Sequence, residues 1–154
     1  MTKDTQSSPT QLRDSIINRL KAQKSEATHP RSIERTIEAR TKVGDIKLES
    51  ATLLITRNIR EDNGQLFFTT DRRLRTFSAL RMTEAQAEAF MRNITCPVLL
   101  ITGSKGYESM RTISQKRVGW VTDLTVAECE GYHHLHMDNP KPVADKIVRF
   151  LNVT

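Results

Sequence analysis

Through the first half of the chain, apolar positions recur at helical spacing. Leu12, Ile16 and Leu20 fall four apart among Arg, Lys and Asp, which predicts an amphipathic helix from Gln11 to about Ala27, ended by His29-Pro30. Ile33 and Ile37 predict a second helix over Arg31 to Val43, with Gly44 as its stop. Leu48, Thr52, Ile55 and Ile59 share one face of a third, although the Thr-Leu-Leu-Ile-Thr core also suits a strand. Asp62-Asn63-Gly64 is a tight-turn signal, and Gln65 to Thr69 has the aromatic character of a short strand. The arginine-rich stretch Asp71 to Arg81 reads as surface loop. Thr83-x-x-Gln86 is a capping box opening a helix that stops near Asn93.

The pattern then changes. Val98 to Thr102 is apolar without alternation, as in a parallel strand covered on both faces. A weak helix over Ser109 to Val118 and a second strand, Leu124 to Cys129, follow. Next comes a loop, Gly131-Tyr132-His133-His134-Leu135-His136-Met137-Asp138-Asn139-Pro140. Asn139-Pro140 supplies a cap and a proline at the first helical position, and Val143, Ile147 and Phe150 or Leu151 line one face of the closing helix. Strand, helix, strand, loop and helix form a βαβα unit, and open α/β sheets place ligand and catalytic groups on loops leaving the carboxyl ends of their strands. Two strands do not make a stable parallel sheet alone, so something must complete this one.

Cys96-Pro97-Val98-Leu99-Leu100-Ile101, the Gly106-Tyr107 after it, and Gly131-x-His133-x-x-His136-Met137-x-x-Pro140 resemble the C-terminal part of α/β-hydrolase-fold serine hydrolases, the serine hydrolase-like proteins in particular. A weaker similarity runs back to about Pro30 through Asp71-Arg72-Arg73-Leu74. The resemblance implies an α/β fold class: a partial α/β-hydrolase with an incomplete central sheet. It divides the chain into a disordered tail (1–10), a helical lid with a short hairpin (11–93) and a C-terminal hydrolase portion (94–154). It also implies a small-molecule acyl ester as substrate and a lid that shapes an apolar acyl pocket.

Within that resemblance His133 takes the place of the catalytic histidine, seven residues before the proline of the last helix. An imidazole suits the task because its ordinary pKa lies near neutrality. His136 matches a loop-shaping histidine, and His134 receives no role. The family's acid position, after the strand Val98 to Thr102, is Gly106, so Glu108 is the nearest carboxylate to orient His133; an acid from an earlier strand is the alternative. The nucleophile elbow Gly-x-Ser-x-Gly occurs nowhere in the chain. Gly103-Ser104-Lys105-Gly106 imitates it one position out of place and is too short for a phosphate loop. The reading is therefore a C-terminal half of a serine hydrolase, inactive as this chain alone.

Composition narrows the competitors. At 154 residues the chain has room for one domain, and 27% charged against 37% hydrophobic residues is polar for a compact α/β core, which suits a piece whose surface expects cover. The net charge of +6 admits a nucleic-acid binder, but its basic residues are scattered among Asp and Glu, so no nucleic-acid partner is expected. A binding module without catalysis is the stronger alternative. Three histidines in four positions suggest a metal, yet zinc sites draw on two separated ligand pairs and no C-x-x-C is present, so neither metal nor cofactor is expected. Two cysteines, no apolar leader and no long apolar run point to an intracellular, cytoplasmic chain without a membrane span. Oligomeric state is left open.

Overall fold

A computed structural model describes residues 4–24, 29–43 and 45–153. Four α-helices and a β-hairpin precede the βαβα unit: α1 (Ser8–Lys24), α2 (Ile33–Val43), α3 (Leu48–Asn58), β1 (Ile59–Asp62), β2 (Gln65–Phe68) and α4 (Glu84–Arg92). Then come β3 (Val98–Gly103), α5 (Glu108–Arg117), β4 (Leu124–Cys129), a single turn α6 (Leu135–Asp138) and α7 (Pro140–Val153). The polar tail is shorter than its composition suggests. A 3-10 turn holds Thr5–Ser7, with the Ser7 hydroxyl donating to the Asp4 carbonyl, and α1 starts at Ser8 because a proline such as Pro9 is tolerated in a first helical turn. The predicted end of that helix, 25–28, lies outside the described residues.

Local sequence accounts for most element boundaries. The Thr83 hydroxyl accepts from the Gln86 N–H while the Gln86 side chain accepts from the Thr83 N–H, satisfying two donors that a helix start leaves bare. Asn63 and Gly64 carry φ of 50° and 75°, the backbone a two-residue hairpin turn requires, and β1 pairs antiparallel with β2. The Thr-Leu-Leu-Ile-Thr segment is helical, and burial of Ser50, Ala51 and Ile55 on one side of α3 shows why: that face packs toward α2. Between β2 and α4 the arginine-rich loop contains one 3-10 turn, Arg72–Arg75, capped by Asp71, whose carboxyl is held down to about 2 chiefly by its hydrogen bonds from Arg73. Arg117, at the end of α5, binds Glu84 at 2.8 Å and ties α4 to the βαβα unit.

β3 and β4 pair in parallel, Val98 opposite Leu124 through Gly103 opposite Cys129, and no third strand joins them among the described residues. The expectation of a strand covered on both faces is corrected here: every residue of β3 is half-buried, and Val126 of β4 is 56% exposed. The reason is structural, since α7 packs on this pair and, among the described residues, no third strand joins it and no second helix packs on it to the same extent. The core is correspondingly small. Cys129, Leu135 and Val143 form its buried cluster with Ile101 against them, directly beneath the histidine loop.

The N–H of Val98 donates to the Asp123 carbonyl and that of Ser104 to the Cys129 carbonyl, both at 2.9 Å, so the even-numbered amides of β3 face β4. Those of Leu99 and Ile101 point to the open edge. In hydrogen exchange on the purified chain, Leu100 and Thr102 should therefore be protected and Leu99 and Ile101 nearly unprotected. Slow exchange at Leu99 and Ile101 would show that another strand already covers this edge.

Candidate functional site around the histidine loop

The loop carrying His133 leaves the carboxyl end of β4 and is stapled to the turn leaving β3. The Lys105 N–H donates to the Gly131 carbonyl at 2.9 Å, and the Gly131 N–H donates to the Ser104 hydroxyl at 3.4 Å. This contact is possible because position 103 has no side chain. A Cβ there would stand 2.5 Å from the Tyr132 carbonyl oxygen and 2.7 Å from that of Gly131, both backbone atoms that cannot swing aside. Gly131 itself has φ of 143°, a conformation that favours glycine, and turns the chain into the loop. Leu135 then drops into the core and anchors the loop from below.

His133 projects from this staple to an exposed position, its ring tilted 40° against Tyr107 with centroids 4.8 Å apart. Beside it lies a cavity of about 450 Å³ whose apolar wall includes Leu100, Met110, Leu135 and Val143, with Thr102, Ser114 and His136 as polar groups. Its lining comes from residues 100 to 143. The expectation that residues 11–93 shape the acyl pocket is thus not met at this cavity: among the described residues, none from the helical half lines it. That half contributes at the loop's other side, through the junction between α2 and α3.

There, the carboxylate of Asp45 accepts from the His133 backbone N–H at 3.4 Å, and the Asp45 N–H donates to the Tyr107 hydroxyl at 3.4 Å. The Lys47 N–H donates to the Asp138 carboxylate at 3.2 Å. A guanidinium N–H of Arg40 donates to His134 Nε2 at 3.1 Å. Because a guanidinium has no acceptor, His134 must be neutral at Nε2 with its proton on Nδ1. Burial, then repulsion from Arg40, His133 and His136, holds the His134 pKa below its ordinary 6.5, with Asp138 opposing.

Glu108 stands exposed at the first position of α5, and its backbone carbonyl accepts from the Thr112 hydroxyl at 3.0 Å. It makes no side-chain contact with His133 among the described residues, whereas Asp45 does. Ser104, the imitation nucleophile, spends its hydroxyl on the Gly131 N–H. The rings of His133, His134 and His136 lie edge to face or tilted, 5.2 and 6.0 Å between successive centroids, and no three His, Cys, Asp or Glu side chains converge as metal ligands among the described residues. Sequence reasoning missed Arg40, Asp45 and Asp138 as loop partners, since each pairs across 88 to 94 positions.

Comparison with known proteins agrees with this layout. The chain is 28% identical to a serine hydrolase-like protein of Danio rerio over 130 residues, 80% of this chain and 39% of that one. It is 33% identical to a probable serine hydrolase of Drosophila melanogaster over 117 residues, 70% of this chain and 35% of that one. The chain has a partial α/β-hydrolase fold and is related to the serine hydrolase-like proteins. A hypothetical protein of Pseudomonas aeruginosa PAO1 superposes with a TM-score of 0.85 at 27% identity, over 99% of this chain and 55% of that structure. The thioesterase domain of a curacin biosynthetic pathway shares the fold with a TM-score of 0.69 at 19% identity, over 87% of this chain and 50% of that one. No family model matches. The chain thus spans roughly two-fifths or less of the length of its curated relatives.

Two predictions follow from this geometry. Gly103→Ala should lower unfolding stability by about 1–3 kcal/mol, the usual cost of overpacking, and shift the Lys105 and Gly131 amide resonances; an unperturbed spectrum would show that the staple is looser than drawn. His134 has a folded pKa below its unfolded one, so its contribution to stability is complete above pH 6.5 and is lost as pH falls through the folded pKa. Thermal melts from pH 8 to pH 5 should accordingly show His134→Gln losing less stability on acidification than the parent chain.

Proposed function

We propose that this chain supplies the C-terminal portion of a serine hydrolase acting on ester or related acyl substrates, with His133 as general base and residues 11–93 as a lid beside the site. The observation that carries the reading is the position of His133. It sits on the loop leaving β4, seven residues before the Pro140 that opens α7, and borders a largely apolar cavity at the carboxyl end of β3. There an imidazole has the chemistry to take the proton of a serine hydroxyl as it attacks the acyl carbon and to return it to the leaving alcohol. The chain holds no Gly-x-Ser-x-Gly elbow, so the serine must come from residues outside this sequence. Alone it should be inert, because a base without its nucleophile retains at most a small residual effect.

Other features agree with this reading. No described helix is long and apolar enough to cross a membrane, and both cysteines are free, Cys96 exposed and Cys129 buried, which suits a reducing cytoplasm. A second reading, a binding module without catalysis, draws on the exposed apolar row Leu12, Ile16 and Leu20 along α1.

The purified chain should neither hydrolyse p-nitrophenyl esters nor react with a fluorescent phosphonate that labels active serines. Turnover abolished by His133→Ala would overturn the claim that it is inert. In lysate of the source cells, one gel probed with the phosphonate and with antibody to this chain separates the readings. A labelled band well above 17.6 kDa supports the hydrolase, and an unlabelled band near 17.6 kDa supports the binding module.

A further inference from the structure

A general base of this kind needs a partner at Nδ1. Nε2 accepts the nucleophile's proton only if the ring carries its own proton on Nδ1, and a carboxylate there selects that tautomer and stabilises the imidazolium that forms. The position where the related hydrolases keep that acid is Gly106, which has no side chain, and Glu108 makes no side-chain contact with the loop among the described residues. The described carboxylate that does bond to His133 is Asp45, which lies just before the start of α3 in the helical half.

We propose that Asp45 is the positioning residue of His133, a carboxylate delivered from the α2–α3 junction in place of the acid missing after β3. This rests on the reading of His133 as general base. Three observations converge on it. Asp45 already accepts from the His133 backbone N–H, and four bonds separate that nitrogen from the ring Nδ1, so a carboxylate gripping one is within a side-chain rotation of the other. Tyr107 holds both members: its hydroxyl accepts from the Asp45 N–H and its ring backs the imidazole. The junction is fixed at two further points, Arg40 on His134 and Lys47 on Asp138, so Asp45 is presented by a strap tied down on either side of it. Asp138 instead accepts from the Lys47 N–H and so holds the strap, while its second carboxylate oxygen is buried and has no hydrogen-bond partner among the described residues.

The consequence is that lid and base form one unit. A lid displaced from the loop would carry Asp45 away and leave His133 free to adopt the Nε2–H form, in which it cannot act as base toward a serine.

The test is the ring tautomer, read in long-range ¹H–¹⁵N spectra of the purified chain at a pH where His133 is neutral. The parent chain should show His133 as the Nδ1–H form, Asp45→Leu should convert it to mainly Nε2–H, and Asp45→Glu should restore Nδ1–H. Asp45→Asn keeps the size of the side chain and an acceptor for the backbone N–H but loses the charge, so its Nδ1–H fraction should fall below the parent's; it serves if the leucine variant does not fold. An Nε2–H ring in the parent chain, an Nδ1–H fraction unchanged in Asp45→Asn, or loss of Nδ1–H in Glu108→Gln instead, would each overturn the assignment. The result is separable from the hydrolase reading. An Asp45-dependent tautomer in a protein that no phosphonate labels keeps the pairing and removes the serine chemistry, while a labelled hydrolase with an Nε2–H ring does the reverse.

Discussion

The close approach between the end of β3 and the loop after β4 is the constraint on which the site depends. Two carbonyls, those of Gly131 and Tyr132, stand where a side chain at position 103 would be. Everything that makes His133 available follows from that absence. The Lys105 N–H reaches Gly131, the loop folds over rather than away from the sheet, and Leu135 is directed into the cluster of Cys129 and Val143. Backbone hydrogen bonds and apolar burial divide the work here. The first sets where the loop runs, and the second keeps it from peeling off, at roughly 1.5–3 kcal/mol for a fully buried leucine side chain.

A second layer of contacts comes from far along the chain, and it is of a different kind. Arg40, Asp45 and Lys47 meet the loop through single hydrogen bonds of 3.1 to 3.4 Å, and Ile46 between the last two is buried. Such contacts are individually modest in water, on the order of 1 kcal/mol each, and are lost together if the junction moves. The staple and the strap thus hold the loop from two sides, the first through backbone bonds and buried Leu135, the second through side-chain hydrogen bonds beside buried Ile46.

How much of this was legible in the sequence depends on the range of the interaction. Thr83-x-x-Gln86, Asn63-Gly64 and Asn139-Pro140 act over one to three residues, and the structure places a capped helix, a hairpin turn and a helix start at them. The two strands and the placement of His133 on the loop after the second follow from the apolar runs and the order of elements. The half-exposure of β3 was not readable, because an apolar run reports what a strand needs and is silent on whether its neighbours are present. Asp45 was invisible for a related reason: a lone Asp beside a helix-stopping glycine reads as loop chemistry. Only the fold brings it to a histidine 88 positions away.

The open sheet and the cavity at its edge belong to one physical problem. A parallel pair gains little from its own hydrogen bonds when water competes at the outer edge and when one face lacks cover, which is why such pairs occur inside larger sheets. In this chain the open edge of β3 is also where the cavity lies, since Leu100 and Thr102 of β3 line it. Any strand added at that edge would end at the same carboxyl rim as β3 and β4 and would bring its following loop to the mouth of the cavity. Completing the sheet at that edge would therefore cover the surface that limits the stability of this chain and reshape the cavity beside His133 in one step.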